Sequence, residues 1–300
     1  MNKLAIVIPY YKIVFFEETL KSVASQTDKR FTLYIGNDAS PDDPFPLIEK
    51  YFPEGNYHYF DYKENLGGTN LAMQWERILE NVKEEWFQIL GDDDVISENF
   101  VAKFYENVLK IKEYNISVIR FSQHWIDENN EPINSKTKFP EIISSEENWR
   151  SKHFLNIRSS LSEYIFSKKQ YKKKYFKKFP LAWFSDDIAV LEISNNKGVF
   201  FIEKAEVKVR ISSLNISSLT TNEKEKEEAK FLYNNYILNN YYYFLSNDEL
   251  LKLIDIQIYN TWEKKKINLE LNLFKIYFKT KNWKRLVKLP KLYIEILLNK

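Results

Sequence analysis

The chain has 300 residues, of which 44 are basic and 42 acidic, so its formal net charge is +2. This near-balance argues against a general nucleic-acid binder, and no nucleic-acid partner is expected. Cysteine is absent and the three histidines, at positions 58, 124 and 153, form no ligand-spaced pair, which excludes disulfides, thiolate zinc sites and cysteine nucleophiles.

Short apolar runs alternate with amphipathic segments along the first third of the chain. The run Leu4–Ile8 has no polar alternation, which is typical of a strand buried on both faces, and Pro9 is predicted to end it. Further strands are predicted at 31–35, 57–62 and 86–90, and helices at 17–26, at 45–51 and from the loop 65–69 to about residue 82. This alternation predicts an α/β domain with a doubly wound, mostly parallel sheet.

The second half of the chain is less regular. Strands are predicted at 118–122 and 199–202, and a helix is predicted to begin at the acidic pair Asp186-Asp187. From residue 223 onward the sequence is almost free of Gly and Pro and is helical in composition. We therefore predict a catalytic domain over 1–218 and an α-helical C-terminal extension over 219–300.

No segment of the sequence predicts a leader or a membrane span. Leu4–Ile8 is too short for the apolar region of a signal peptide. No uninterrupted apolar stretch approaches the roughly 20 residues that cross a bilayer. The chain is therefore expected to be cytoplasmic, or bound at most to the inner face of a membrane.

The strand at 86–90 ends in Gly91 and three consecutive carboxylates, Asp92, Asp93 and Asp94. Adjacent anions repel one another, so a folded chain tolerates them best beside a cation or hydrogen-bond donors. At the carboxyl end of a strand in an α/β sheet, such oxygens suit Mg²⁺ or Mn²⁺ with a phosphate-bearing substrate. A solvated acidic turn is the equal alternative from these residues alone. Strand alternation would place Asp92 and Asp94 on one side.

Five motifs in order resemble the GT-A fold glycosyltransferases of family 2, which are mostly inverting enzymes. The resemblance covers roughly the first 220 residues. It rests on the opening strand with Pro9-Tyr10-Tyr11, the helix 20–26, the turn at 33–42 with Asp38, the loop 65–70 and the acidic cluster 91–94. Each match is weak alone, and their order and spacing carry the identification.

The resemblance implies roles for these residues in binding a nucleotide-sugar. Pro9, Tyr10 and Tyr11 would form a platform for the base, and Asp38 would accept from the base imide. The loop with Asn65, Gly67 and Asn70 would lie near the ribose and diphosphate, where glycine permits close approach. The structural alternatives are a core aromatic for Tyr11, a turn-forming role for Asp38 and a plain helix-preceding turn for the loop.

The family pattern also implies a register for the acidic cluster. It makes Asp93 the metal ligand for Mn²⁺ or Mg²⁺, with Asp94 next. Gly91 stands where the family usually has its first Asp, and Asp92 would replace that group near the ribose or a metal-bound water. A binding module that has lost catalysis therefore stays open.

The acidic pair resembles the family motif whose second acid is the general base. This implies that Asp187 takes the proton of the acceptor hydroxyl while Asp186 orients it or holds the acceptor. The alternative is a helix N-terminus whose acids complement the dipole. In the closing segment 207–217 the family often has a His where this chain has Ser212, which implies either that the metal has one protein ligand fewer or that Arg210 takes the charge role at the metal or diphosphate site.

Two basic stretches, 168–178 and 264–291, interleave lysines with aromatic residues. The first is interpreted as a solvated helix face. For the second, an amphipathic helix at a membrane surface and helix packing or dimerisation stay open as alternatives. The resemblance implies that the acceptor could be lipid-linked, as is typical of bacterial surface-glycan assembly. Docking of the C-terminal helices on a membrane would suit such an acceptor.

Taken together, the sequence predicts an inverting, metal-dependent glycosyltransferase. It would move a sugar from a nucleoside-diphosphate donor, UDP first, to a hydroxyl of a glycan acceptor in bacterial surface polysaccharide synthesis. The alternatives are the non-catalytic binding module and a nucleotidyltransferase. The latter normally has a Gly-rich basic loop after the first strand, which Pro9-Tyr10-Tyr11-Lys12 is not.

Overall fold

A mixed sheet of nine strands forms the centre of the N-terminal part of the chain in the computed structural model, which describes residues 2–216, 218, 220–263 and 273–298. Its strands run in the order β3-β2-β1-β4-β8-β6-β9-β5, with β7 paired to β9. They are β1 (Leu4–Tyr10), β2 (Phe31–Asp38), β3 (Tyr57–Tyr62), β4 (Trp86–Ile89), β5 (Val95–Ile96), β6 (Val118–Ile126), β7 (Ile142–Ile143), β8 (Tyr164–Ser167) and β9 (Val199–Arg210).

Strand direction divides the sheet. The neighbours β3, β2, β1 and β4 are parallel, whereas β8 is antiparallel to both β4 and β6. Strand β9 is parallel to β6 and antiparallel to β5 and β7. From β1 the chain moves outward through β2 to β3 and then returns to place β4 on the other side of β1. That reversal creates a crevice at the carboxyl ends of β1 and β4.

Seven helices flank this sheet in the described part of the N-terminal region. They are α1 (Phe16–Ala24), α2 (Phe45–Tyr51), α3 (Gly67–Leu79), α4 (Phe100–Glu113), α5 (Ser145–His153), α6 (Lys168–Lys174) and α7 (Ser185–Ile193). Two further short 3-10 helices, Leu161–Glu163 and Pro180–Ala182, precede β8 and α7.

The sheet has a hydrophobic core on each face. Along β1, Leu4, Ile6 and Ile8 pack into one cluster, while Ala5 and Val7 pack into the other. This is why β1 is apolar at every position without alternation, as a strand covered on both faces must be.

The prediction that Pro9 ends the first strand is wrong, because β1 continues to Tyr10 and Pro9 pairs with Gly36 of β2. The Val7 carbonyl accepts from the Leu90 amide, so the Pro9 nitrogen two residues later faces the same side, beyond the end of β4. Proline is tolerated in a strand where no partner needs its missing N–H.

Three other strands are longer than predicted. Strand β2 extends to Asp38, β6 to Ile126 and β9 to Arg210. The added residues of β6 and β9 pair with each other past a register shift at Phe121/Ser122. Pairing with a neighbouring strand keeps these residues extended. That pairing cannot be predicted from the local sequence pattern.

The chain divides into two compact units, Met1–Glu223 and Lys224–Lys300. The second unit contains α8 (Glu223–Asn240), α9 (Asn247–Glu263), α10 (Leu273–Lys279) and α11 (Trp283–Leu298) in its described part. The lysine triplet 264–266 lies outside the described residues. Among the described helices, none combines the length and apolarity needed to cross a bilayer.

Candidate active site

A cavity of about 480 Å³ opens at the carboxyl ends of β1, β2 and β4. This is the edge at which α/β sheets bind ligands. Eight residues predicted for the site line it: Pro9, Tyr11, Asp38, Asn65, Gly67, Asp92, Asp93 and Asp94. The other lining residues are Lys12, Gly68, Leu71, Trp75, Ile89, Gly91, Ser160, Leu161, Ser162, Leu214, Asn215 and Ile216.

Asp92 joins the acidic loop to the end of β1. Its Oδ2 accepts from the backbone N–H groups of Tyr11 at 2.7 Å and Lys12 at 2.8 Å. Burial raises the pKa of Asp92, and these two amides oppose that shift. The carboxylate thereby holds the turn that follows Pro9 against the loop, and it fixes where Tyr11 enters the cavity.

Asp93 is the acid of the cluster whose carboxylate is left available. Within the described chain its side chain has no hydrogen bond or ion pair, and it lines the cavity. Burial and the charges of Asp94 and Asp92 raise the pKa of Asp93 well above its ordinary value. Lys12 and Arg210 lower this pKa only in part, and a divalent cation would add further positive charge against both effects.

Asp94 is committed to the protein itself. Its Oδ1 accepts from the Arg210 backbone N–H at 2.9 Å, and its Oδ2 accepts from the Ser162 hydroxyl. Burial raises the pKa of Asp94 to about 6, although both bonds act to lower it. The same Ser162 oxygen accepts from the Gly91 N–H at 3.0 Å. Asp94 therefore joins the acidic loop to β9 and to the 3-10 helix Leu161–Glu163.

The glycine at position 91 has a steric reason. A Cβ on Gly91 would lie 2.9 Å from Asp94 Oδ2 and 3.0 Å from Asp93 Oδ1. Two carboxylate oxygens fill the space that a side chain would need. A side chain at position 91 would therefore clash with the acids of its own loop.

Asp38 closes the other side of the cavity. Its oxygens accept from the backbone N–H groups of Leu66 at 2.9 Å and Gly67 at 2.7 Å, and Arg77 forms an ion pair with it. Burial raises the pKa of Asp38, while the two amides and Arg77 lower it. A Cβ on Gly67 would lie 2.4 Å from Asp38 Oδ2. Glycine is therefore required for the loop at 65–68 to reach this acid.

Three residues predicted to bind the nucleotide-sugar lie outside the cavity lining. Tyr10 is buried against Phe16 and donates to the Asp42 carbonyl. The Asn70 amide donates to the Phe179 carbonyl, and its oxygen accepts from the Ala72 N–H, at a kink in α3.

Arg210 is the third. It is fully buried, and its guanidinium donates to the Asp93 and Asp127 carbonyls, to Asn130 Oδ1 and to Glu18 Oε2 at 2.6 Å. These four bonds direct its charge into the protein and away from the cavity. Arg210 thus supports the acidic loop through its hydrogen bond to the Asp93 carbonyl.

The acidic pair lies at the first turn of α7 and outside the cavity lining. Asp187 is buried and forms an ion pair with Lys152 at 2.8 Å, whereas Asp186 lies 3.5 Å from the same ammonium. Burial alone would raise the pKa of Asp187, but Lys152 and His153 hold it at about 2. For Asp186 burial dominates over Lys152, and its pKa is raised.

The sequence analysis missed the cavity residues that come from distant segments. Ser160–Ser162 reach the site because Glu163 forms a fully buried ion pair with Arg120 at 2.6 Å. Leu214 reaches it because its carbonyl accepts from the Lys12 ammonium. The second of them is part of the closing segment 207–217 singled out in the sequence, and no local pattern connects either segment to the cavity.

The family is identified by comparison with known proteins. A family model described as Glycosyl transferase family 2 matches residues 5–179, more than half of the chain. The chain belongs to glycosyl transferase family 2. A comparison with curated proteins gives no match.

Solved structures similar to this family 2 chain include the S. aureus protein TarS. TarS 1-349 is 16% identical with a TM-score of 0.58, and 90% of this chain covers 76% of it. Its complex with UDP-GlcNAc is 17% identical with a TM-score of 0.61, and the shares are 90% and 77%. In the longer TarS structure the chain covers 46%, with 16% identity and a TM-score of 0.59. This likeness confirms the predicted GT-A α/β fold.

The described residues contain no cluster of three or more His, Asp or Glu side chains arranged to hold a metal ion. Mg²⁺ and Mn²⁺ sites that bind substrate phosphates commonly use only one or two carboxylates, with the remaining ligands from phosphate and water. Asp93, whose carboxylate has no hydrogen bond among the described residues, and Asp92, whose Oδ2 is occupied by two amides, are the two acids of the cavity that could supply such ligands.

Proposed function

We propose that this family 2 protein transfers a sugar, with inversion, from a UDP-sugar to a hydroxyl of a glycan acceptor. One observation carries the proposal. A single cavity brings together Asp38, Tyr11, Gly67 and the free carboxylate of Asp93 at the carboxyl edge of the sheet. A nucleoside-diphosphate sugar needs those features together: a flat platform and an acceptor for the base, close backbone approach for the phosphates, and an anionic centre for a metal.

UDP is the favoured nucleotide. TarS 1-349 has been solved with UDP and with UDP-GlcNAc, and it shares this fold. In the present chain Asp38 lies at the end of β2 in the cavity, held by two backbone amides. Asp38 Oδ1 accepts from Leu66 and Arg77. Among the described residues Oδ2 accepts only from Gly67, so one acceptor position of Oδ2 is left for the imide of a uracil ring.

Asp93, assisted by Asp92, would hold Mn²⁺ or Mg²⁺. The chemistry that such an ion supplies when bound is neutralisation of the diphosphate leaving group. Asp94 would not join them, because both of its oxygens are occupied by Ser162 and Arg210. The Lys12 side chain, which lines the cavity, would add positive charge near the diphosphate.

The acceptor hydroxyl needs a base that takes its proton as its oxygen attacks the anomeric carbon and the diphosphate departs. The contacts of the acidic pair favour Asp186 for this role over Asp187, the residue predicted from the sequence. Asp187 is held at a pKa of about 2 by Lys152, so it is a weak base, whereas Asp186 has a raised pKa and the longer contact. In this proposal Asp187 and Lys152 orient Asp186.

The acceptor remains a glycan, lipid-linked or free, on the pathway to a bacterial surface polysaccharide, with the reaction on the cytoplasmic side. A catalytic cavity within a unit that has no membrane-spanning helix among its described residues is compatible with either kind of acceptor.

The test is release of UDP from a panel of UDP-sugars, with and without Mn²⁺, together with the thermal stability of each mixture. Ligand binding raises stability by mass action. We expect one UDP-sugar to stabilise the protein and to be turned over, and both effects to need the metal. If a UDP-sugar binds but none in the panel is turned over, the non-catalytic binding module is favoured. Release of pyrophosphate would favour a nucleotidyltransferase.

Two variants separate the roles at α7. Asp186→Asn should leave donor binding intact and abolish transfer, while Asp187→Asn should lower kcat and leave residual transfer. If Asp187→Asn abolishes transfer and Asp186→Asn retains it, the role of base returns to Asp187.

A further inference from the structure

The last two helices, α10 and α11, expose a row of large apolar side chains. Between 52% and 80% of each of these side chains is exposed, and the row consists of Phe274, Phe278, Trp283, Val287, Ile294 and Leu298. We call this row the apolar stripe. The rings of Phe274 and Phe278 lie 6.1 Å apart and those of Phe278 and Trp283 lie 5.5 Å apart, so the stripe continues from one helix to the next.

The stripe is separate from the buried side of the two helices, to which Leu273, Ile276, Tyr277 and Leu289 belong. Along α11 the stripe positions 283, 287, 294 and 298 are spaced by four, seven and four residues, which is the spacing of one helix face, and Pro290 lies between the second and the third of them. Exposed apolar residues scattered singly need no explanation, but a contiguous row of this kind marks an interaction surface.

Positive charge borders the stripe. Residues 273–298 contain seven lysines or arginines and one glutamate. Lys281, Lys284 and Lys288 are exposed beside the stripe residues of the same segment. Arg285 is turned the other way, into an ion pair with Asp255 of α9.

We propose that the apolar stripe and its lysines bind the surface of an anionic lipid bilayer. An apolar helix face flanked by lysines lies in the headgroup region, where apolar burial and attraction to anionic lipid add together. A second copy of the chain is the weaker occupant, since symmetric pairing would bring Lys281, Lys284 and Lys288 of one copy towards the same lysines of the other. Because no described helix can cross a bilayer, the contact is interfacial.

The test is co-sedimentation of the full chain with vesicles of phosphatidylcholine alone or mixed with phosphatidylglycerol, at low and high salt. The apolar variant carries Trp283→Ser and Val287→Ser, and the charge variant carries Lys284→Gln and Lys288→Gln. Leu109→Ser on α4 is the matched control for the first, because Leu109 is 75% exposed and Val287 80%. Lys173→Gln on α6 is the control for the second.

We expect binding to mixed vesicles only, weakened by high salt. The charge variant should lose about fivefold in affinity for each lysine, from the attraction of one basic residue to an anionic surface. The apolar variant should lose about tenfold or more. Both controls should bind as the parent chain does, and far-UV circular dichroism should show that every variant folds.

Three results would overturn the proposal: no binding to any vesicle, equal binding by variants and controls, or self-association in solution that the apolar variant abolishes. Quenching by bromine-labelled lipid gives an independent measurement, since it should fall when Trp283 is replaced by Phe. No donor sugar is needed in these experiments, so their outcome is independent of the proposed glycosyl transfer.

Discussion

The Ser162 hydroxyl connects the 3-10 helix Leu161–Glu163 to the acidic loop by hydrogen bonds. Removing it tests whether Asp94 is held by the protein rather than free for a ligand. Ser162→Ala deletes the donor to Asp94 Oδ2 and the acceptor of the Gly91 N–H. Both groups are left unpaired next to the cavity. A hydrogen bond to a charged group contributes about 1.5–3 kcal/mol, and an unsatisfied buried group costs about 1–3 kcal/mol.

We therefore expect Ser162→Ala to lower the free energy of unfolding by about 2–4 kcal/mol. Ser194→Ala is the control, because Ser194 is equally buried and donates one neutral hydrogen bond to the Leu191 carbonyl. That control should cost about 1 kcal/mol. Urea unfolding followed by tryptophan fluorescence gives both values, since five of the seven tryptophans precede residue 224.

A double-mutant cycle with Asp94→Asn isolates the contact itself. A coupling energy of about 1.5–3 kcal/mol is expected if the hydroxyl and the carboxylate interact as described. The reasoning is refuted if Ser162→Ala costs no more than Ser194→Ala, or if the coupling energy is zero.

The cavity and the acidic pair can be tested by three other substitutions. Asp93→Asn should abolish the extra thermal stability that Mn²⁺ adds in the presence of UDP, because it removes the free carboxylate. Gly67→Ala should lower the affinity for UDP at least about tenfold, because its Cβ would lie 2.4 Å from Asp38 Oδ2. Isothermal titration calorimetry measures that affinity. Asp187 should contribute about 2 kcal/mol of stability that is complete above about pH 4 and is lost as pH falls through about 2, because its folded pKa lies below its unfolded value.

Each of these predictions has a control and a contrary result. Asp28→Asn removes an acid outside the cavity and should keep the metal effect; retention of that effect in Asp93→Asn would contradict the ligand assignment. Gly55→Ala introduces backbone strain at a φ of +69° away from the cavity and should leave UDP affinity unchanged. Asp187→Asn should flatten the loss of stability between about pH 4 and 2, and an unchanged pH profile would refute the ion pair as its cause.

The sequence by itself determined the strand–helix alternation and the place of the site. The absence of polar alternation in Leu4–Ile8 indicates burial on both faces, and polar residues stand at the end of β2 and soon after the end of β4. Because parallel strands end at one edge, the residues Tyr11, Asp38 and Asp93 are brought together by topology alone. These inferences need only local patterns and strand direction.

Only the tertiary structure decided which polar groups remain free for a ligand. Three adjacent aspartates look alike in the sequence, but their hydrogen bonds differ. The Asp92 carboxylate accepts from the two amides after β1, and that of Asp94 accepts from Ser162 and Arg210. The Asp93 carboxylate accepts from none of these groups. The guanidinium of Arg210 likewise donates its hydrogen bonds to acceptors within the protein. A side chain's hydrogen-bond partners come from segments far along the chain, so a local pattern identifies the acid but not the atoms it has left to offer.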